Sequence, residues 1–229
     1  MAASSGRAAV LFDFGGTLDA DGVTWKERVG RLYRDEGVDV GGASFDRLFY
    51  AADDALVGKI ERTLSFQETV SRLTAGVARG LGLLDDALAE RVAARFVDDA
   101  RATLRRNAGV LATLSARYRF AIVSNFYGNL ARVCGDGGLG GLFDVIVDST
   151  DVGVCKPDPA IFRVALERLG VSPADAVFVG DSAPRDMAGA RAAGLAHVWL
   201  VADGADRAVP CCPGDRVIGS LKDLPGVLA

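Results

Sequence analysis

The chain has 229 residues, half of them hydrophobic, with 26 Lys and Arg against 30 Asp and Glu. This composition predicts a soluble globular protein with one full core, and a net charge of −4 lacks the basic excess that nucleic-acid binding needs. No signal-like apolar stretch precedes the first apolar run, Ala8–Phe12. We therefore expect a cytoplasmic monomer or homodimer, with neither nucleic acid nor a membrane as partner.

The first predicted element is a strand, Ala8–Phe12, which ends at Asp13. From residue 24 to residue 106 the sequence then shows only helical periodicity, and we call this stretch the helical block. Its predicted helices are Trp25–Glu36, Ser44–Val57, one opened by the capping box Ser65–Glu68, and Asp85–Arg105. We predict a helical domain over residues 21–106, inserted into a discontinuous core of residues 1–20 and 107–229.

From Val110 onward, short β-rich runs alternate with helices. The predicted strands are Phe120–Val123, Val145–Val147, Val177–Val179 and Val198–Val201, and the predicted helices are Gly128–Val133, Pro159–Leu169, Pro184–Ala193 and Ser220–Leu228. Such alternation is typical of βαβ units. Because the first strand cannot bury its faces alone, it must join the same sheet. The sequence predicts an α/β fold with a mostly parallel sheet.

Polar side chains follow four of the predicted strands. They are Asp13 with Gly15, Gly16 and Thr17; Ser124 with Asn125; Lys156; and Asp181 with Ser182 and Asp186. Because the carboxyl ends of parallel strands meet at one edge of a sheet, we expect these residues to face one crevice. Two carboxylates, a hydroxyl and an ammonium together suit a Mg²⁺-assisted attack on a phosphoryl group.

The residue types predict separate roles in such a reaction. We expect Mg²⁺, which prefers oxygen ligands, to be held by Asp13, the backbone carbonyl of Gly15, and Asp181. Lys156 would offset the charge of the phosphoryl oxygens, and Ser124 would orient one of them. The other predicted roles are substrate contacts by Gly16, Thr17 and Asn125, and support behind the metal or the lysine by Ser182 and Asp186.

The four motifs, in this order, resemble those of the haloacid dehalogenase-like (HAD) hydrolase superfamily. The matching segments are Asp13 with Gly16-Thr17, Ser124, Lys156-Pro157-Asp158-Pro159, and Gly180-Asp181-Ser182 with Asp186. The helical block lies where that family inserts its type-1 cap. The resemblance implies a Rossmann-like core, an aspartyl-phosphate on Asp13, and a cap that closes over a small phosphorylated metabolite and sets specificity.

Gly15 departs from the family pattern. In the family's phosphatases the residue two positions after the nucleophile is an aspartate, which protonates the leaving oxygen and then activates water. Glycine supplies no proton, and such acid–base help is worth about 10²–10⁴-fold in rate. Asp19 or Asp21 could substitute for it. We expect a phosphatase or phosphotransferase with weakened activity, or else a nearly inactive protein that binds a phosphorylated ligand.

Two other chemistries of the family lack that aspartate. Dehalogenases attack carbon without a cation and usually lose the metal carboxylate, so the presence of Asp181 favours phosphorus. Phosphonatases form a Schiff base on a cap lysine, for which Lys26 is better placed than Lys59. The side chains of the helical block that could face the crevice are Trp25, Arg28, Phe49, Tyr50 and Lys59.

Overall fold

A computed structural model describes residues 8–83, 85–202 and 215–228, so the predicted core domain includes residues outside this part. In the described residues six strands form one sheet in the order β3-β2-β1-β4-β5-β6, and each neighbouring pair is parallel. The strands are β1 (Ala8–Phe12), β2 (Tyr118–Ser124), β3 (Val145–Asp148), β4 (Ala176–Gly180), β5 (Ala196–Leu200) and β6 (Arg216–Ile218). This confirms the α/β class and the parallel sheet, with a Rossmann-like strand order.

The central strand β1 is buried on both of its faces. Val10 and Phe12 point into the larger core, which the helical block also fills, whereas Ala9 and Leu11 point into a smaller core on the other face. Continuous apolar strands of this kind are expected where helices cover both faces of a parallel sheet. The strand order reverses between β1 and β4, which is where open α/β sheets bind their ligands.

The predicted helical block is present and lies between β1 and β2. Its helices are α1 (Trp25–Asp35), α2 (Gly42–Asp54), α3 (Phe66–Gly80) and α4 (Asp86–Leu114). A capping box opens α3 at Ser65, as predicted, and another opens α1 at Thr24. Helix α4 runs on past Arg105, because Leu111 and Leu114 continue its buried face. It is continuous through residue 106, so the domain boundaries stay a prediction.

Shorter helices complete the described part of the core. They are α5 (Leu130–Asp136), α6 (Ser149–Val152), α7 (Pro159–Leu169), α8 (Ala188–Ala192) and α9 (Leu224–Val227). The helix predicted at 184–193 consists of a wide turn, Ala183–Met187, followed by α8. The helix predicted at 220–228 consists of a 3-10 turn, Leu221–Asp223, followed by α9. Within the described ranges, no helix has the length and apolar character needed to cross a bilayer.

Candidate active site

Asp13 lies directly after β1, at the edge where the sheet reverses its order. Its backbone N–H donates to the carbonyl of Val179 at 2.9 Å, which continues the β1–β4 pairing by one residue. The residue is 8% exposed. Oδ1 accepts a hydrogen bond from Ser124 Oγ at 2.7 Å and lies 2.7 Å from Lys156 Nζ. Three strand-end motifs therefore converge on one carboxylate.

Lys156 is a buried ammonium between two carboxylates. Its Nζ lies 2.7 Å from Oδ1 of Asp13 and 2.7 Å from Oδ1 of Asp186. Burial alone would lower the pKa of Lys156, but the two carboxylates outweigh it and leave that pKa raised. The lysine therefore stays charged, as the offset of phosphoryl charge requires. Asp186 also accepts the N–H of Ser182 at 2.9 Å, and support of the lysine or the metal by these two residues stays a prediction.

Three residues predicted to bind substrate have close neighbours within the protein. Asn125 holds the backbone of Lys156, accepting its N–H at 2.7 Å and donating to its carbonyl at 3.0 Å. Thr17 is buried and donates to Oδ1 of Asp181 at 2.8 Å. Gly16 has a φ of +92°, and a Cβ there would lie 2.7 Å from Asp181 Oδ2. Substrate contact by these residues stays a prediction.

Three carboxylates meet beyond the ends of β1 and β4. One oxygen from each of Asp13, Asp181 and Asp186 lies within 4.8 Å of the others. Burial and the charges of the other two raise the pKa of Asp181 to about 8. A bound cation would relieve this repulsion, and an all-oxygen donor set suits Mg²⁺. The residues present therefore fit the predicted metal, while ligation by the Gly15 carbonyl stays a prediction.

Gly15 packs against the indole ring of Trp25. With φ −76° and ψ 116°, its backbone is one that any residue can adopt. A Cβ at this position would nevertheless lie 3.1 Å from Nε1 and 3.3 Å from Cδ1 of Trp25. The indole is held in place, because Nε1 donates to Asp19 Oδ2 at 2.7 Å. The tryptophan thus occupies the space in which a side chain at position 15 would begin.

The two carboxylates considered as substitutes for the missing acid are bound elsewhere. Asp19 is 1% exposed and accepts hydrogen bonds from Trp25 and from Arg28, the latter at 2.7 Å. Asp21 forms an ion pair with Arg106 at 2.8 Å. Both side chains join the start of the core to the helical block. These contacts argue against either one as the proton donor.

A cleft opens between the carboxylate cluster and the helical block, with about 650 Å³ of space including the part open to solvent. Its walls beyond the residues above are Thr24, Trp25, Lys26, Phe49, Tyr50 and Asp53 from the helical block, and Phe126, Tyr127 and Arg185 from the core. Of the block residues considered beforehand, Trp25, Phe49 and Tyr50 line the cleft. Arg28 is instead buried against Asp19, and Lys59 is exposed.

Asp53, Tyr127 and Arg185 are cleft residues that sequence reasoning did not identify. A helical spacing is the signal that bears on Asp53, since it follows Phe49 by four positions on α2 and therefore shares its face. That spacing becomes informative only once the direction in which α2 faces is known.

Lys26 lines the cleft but is bound to an acidic partner. Its Nζ lies 2.9 Å from Oδ2 of Asp46 and 5.5 Å from the centre of the Tyr50 ring. The hydrogen bond to Asp46 raises the pKa of Lys26. A Schiff base forms from the neutral amine, so this environment argues against the phosphonatase mechanism.

The geometry agrees with what the chain is similar to. A family model described as haloacid dehalogenase-like hydrolase matches residues 8–194. Phosphoserine phosphatase of Thermus thermophilus is 40% identical over 91 residues, which is 38% of this chain and 34% of that protein. Haloacid dehalogenase-like hydrolase domain-containing protein 3 of Mus musculus is 42% identical over 109 residues, 46% of this chain and 43% of that protein. The matched part thus spans less than half of either relative.

One solved structure covers almost the whole chain. A dehalogenase crystallised with an intermediate complex is 25% identical, has a TM-score of 0.66, and is matched over 98% of each chain. The family model takes in all four strand-end motifs, from Asp13 to Asp186. The chain therefore belongs to the haloacid dehalogenase-like hydrolases.

Proposed function

We propose that this hydrolase is a Mg²⁺-dependent phosphatase or phosphotransferase of the cytoplasm that acts on a small phosphorylated metabolite. The observation that carries the proposal is the cluster of carboxylates that includes the nucleophile, Asp13 with Asp181 and Asp186, whose oxygens lie within 4.8 Å of one another. Attack on carbon does not need a cation, whereas a phosphoryl group brings negative charge that must be offset. The phosphatase name of the Thermus thermophilus relative supports the same choice.

Different residues of the chain have different roles in the proposed phosphoryl transfer. A carboxylate oxygen of Asp13 attacks phosphorus and forms an aspartyl-phosphate, which water then hydrolyses. Lys156 offsets the charge of the phosphoryl oxygens, and the Ser124 hydroxyl orients one of them. Mg²⁺, held by Asp13, Asp181 and the Gly15 carbonyl, supplies further positive charge when bound.

Asp13→Asn tests the proposal. We expect loss of turnover with acetyl phosphate and 4-nitrophenyl phosphate, and no phosphoenzyme after acid quench, because the amide is not a nucleophile. Circular dichroism and the melting temperature check that the variant folds. Asp99→Asn, an exposed change of the same charge on α4, is the matched control and keeps full activity. Turnover retained in Asp13→Asn contradicts the mechanism.

A dehalogenase is the second candidate, favoured by the matched dehalogenase structure and by Gly15. A halide leaves without a proton, so that chemistry needs no acid at position 15. This candidate predicts halide release from 2-chloropropionate that a metal chelator does not reduce. Phosphate release from acetyl phosphate that EDTA abolishes, without halide release, rejects it.

A phosphate-binding protein without turnover is the remaining candidate, favoured by the contact between Gly15 and Trp25. It predicts that Mg²⁺ and inorganic phosphate together raise the melting temperature, because ligands stabilise the state that binds them. It also predicts that no phosphoenzyme forms with acetyl phosphate. Detection of the phosphoenzyme rejects this candidate.

A further inference from the structure

The leaving group of an alkyl phosphate needs a proton source in this cleft. In-line displacement places the leaving oxygen on the side of phosphorus away from Asp13, and residues of the helical block line the cleft into which Asp13 opens. Among the described residues that line the cleft, the carboxylates are Asp13, Asp53 and Asp181. Two of these belong to the nucleophile and cation cluster. Asp53, near the end of α2, is the carboxylate that the helical block contributes.

The surroundings of Asp53 suit a group that exchanges a proton. Oδ1 accepts a hydrogen bond from the hydroxyl of Tyr127, in the loop after β2. Burial and the charge of Asp54 raise the pKa of Asp53, whereas the Tyr127 hydrogen bond and the charge of Arg185 lower it. The resulting pKa lies above the ordinary value of an aspartate. Burial and Asp53 raise the pKa of Tyr127 well above its usual range, so the phenol remains a donor.

We propose that Asp53 supplies, from the helical block, the proton that Gly15 cannot supply. This rests on the proposed phosphoryl transfer. In the first step a bond forms between an Asp13 oxygen and phosphorus as the bond to the leaving oxygen breaks, and that oxygen takes the proton of the Asp53 carboxyl. In the second step Asp53 takes a proton from water as the water oxygen bonds to phosphorus. The bond to Asp13 then breaks, and inorganic phosphate leaves.

The contact between Gly15 and Trp25 explains why the proton comes from this side. A side chain at position 15 would begin 3.1 Å from the indole, and Asp19 is buried and bound to Trp25 and Arg28. Tyr127 acts as a positioning residue, since its hydroxyl fixes the Asp53 carboxyl while Asp53 exchanges the proton. The proton donor is then present only when α2 lies over the core.

Asp53→Asn tests the first step, with Asp54→Asn as the matched control. Asp54 is the next residue on α2, carries the same charge, and is exposed. In Asp53→Asn we expect kcat/KM for ethyl phosphate, whose alkoxide must be protonated, to fall by about 10²–10⁴-fold. With acetyl phosphate, whose carboxylate leaves unprotonated, kcat/KM stays near the wild-type value. Asp54→Asn leaves kcat/KM for acetyl phosphate unchanged. With ethyl phosphate it moves the fall of kcat/KM at high pH to lower pH, because the Asp54 charge helps to raise the pKa of Asp53, but it does not cause the loss of about 10²–10⁴-fold.

The second step has its own readout. Asp53→Asn should accumulate phosphoenzyme on acetyl phosphate and lower kcat, because water loses its base while phosphorylation continues. In the wild type, kcat/KM for ethyl phosphate should fall at high pH as Asp53 ionises. Tyr127→Phe removes a hydrogen bond that favours the carboxylate, so this fall should move to higher pH.

Three outcomes would overturn the role of Asp53. The first is that Asp53→Asn loses kcat/KM equally on both substrates, and the second is that Asp53→Asn loses none with ethyl phosphate. The third is that the wild type hydrolyses acetyl phosphate but not ethyl phosphate. Failure of the proposed function looks different, since then the wild type forms no phosphoenzyme on Asp13 from acetyl phosphate. That result removes both proposals together.

Discussion

Gly15 and Trp25 restrict each other at the scale of single residues. The glycine backbone is in an ordinary extended conformation, so the restriction comes from the space its neighbour fills and not from φ. The indole cannot easily move away, because its N–H is bound to the buried carboxylate of Asp19. A methyl group at position 15 therefore requires the hydrogen-bonded indole to shift by a few tenths of an ångström, and we expect this shift to cost stability.

Gly15→Ala should destabilise the protein by about 1–3 kcal/mol, the usual cost of overpacking. Urea denaturation measures the free energy of unfolding. Gly109→Ala is the matched control, because a Cβ there meets nothing within 4 Å and the residue is inside α4. That change should stabilise the protein by about 0.5–1 kcal/mol, since alanine favours a helix over glycine. If Gly15→Ala and Gly109→Ala changed the free energy of unfolding equally, the contact between position 15 and Trp25 would not be restrictive.

The residues that the sequence identified at the site are those at the ends of strands. Asp13, Lys156 and Asp181 could be predicted to meet because a parallel sheet brings such ends to one edge. Trp25 and Asp53 could not be assigned in this way, because their positions depend on how α1 and α2 pack over the core. That packing is set by contacts far apart in sequence, which periodicity does not show.

At the scale of elements, α1 is joined to the core by a buried ion pair. Arg28 Nη1 lies 2.7 Å from Asp19 Oδ2, with side chains 5% and 0% exposed, and its guanidinium lies 3.9 Å from the centre of the Phe96 ring on α4. This arginine of α1 therefore contacts both the core loop and α4. Its loss would leave the Asp19 carboxylate buried and without its cation.

Arg28→Leu should destabilise the protein by about 3–5 kcal/mol, because breaking a buried pair leaves an uncompensated charge. Chemical denaturation checks the value. Arg95→Ala is the control: Arg95 pairs with Asp35 at 2.8 Å and with Glu36 at 3.3 Å on the exposed surface. Exposed pairs of this kind contribute about 0–1 kcal/mol. If Arg28→Leu lowered the free energy of unfolding no more than Arg95→Ala does, the buried pair would not be what stabilises the attachment of α1 to the core.

Elements with clear signals at both ends were predicted well, whereas two short elements without such signals were missed. Helix α7 has the predicted bounds, Pro159–Leu169, because an aspartate cap and a proline mark its start and a glycine follows its end. Strand β6 was missed because it begins with an arginine and has only two apolar residues in a row, Val217 and Ile218. Helix α6 was missed because four residues are too few to show helical periodicity.

At the scale of the whole molecule, stability should depend on pH through the carboxylate cluster. The pKa of Asp181 is raised from 3.8 to about 8 without a cation, so the folded state holds this proton more tightly than the unfolded state. Where the folded state binds more protons, stability falls as pH rises. The metal-free protein should therefore lose stability between about pH 4 and pH 8.

Magnesium should reverse this loss, because the cation binds the ionised carboxylates. The rise in melting temperature that Mg²⁺ causes should be larger near pH 8 than near pH 5, as measured by differential scanning fluorimetry. In Asp181→Asn, which cannot ionise at that position, both the rise and its dependence on pH should be small. A rise that is the same at both pH values would contradict a metal site built on Asp181.

The packing of Trp25 against Gly15 also affects the evolutionary route by which an aspartate could replace Gly15. An aspartate that arrives first meets the indole at its Cβ and lowers stability. A smaller residue that arrives first at position 25 removes this contact, but it loses the hydrogen bond to Asp19 before any catalytic gain exists. We therefore expect each single mutant, at position 15 or at position 25, to be less stable than the protein with Gly15 and Trp25. A two-step route from Gly15 and Trp25 to an acid at position 15 therefore passes through a less stable protein, whichever position changes first.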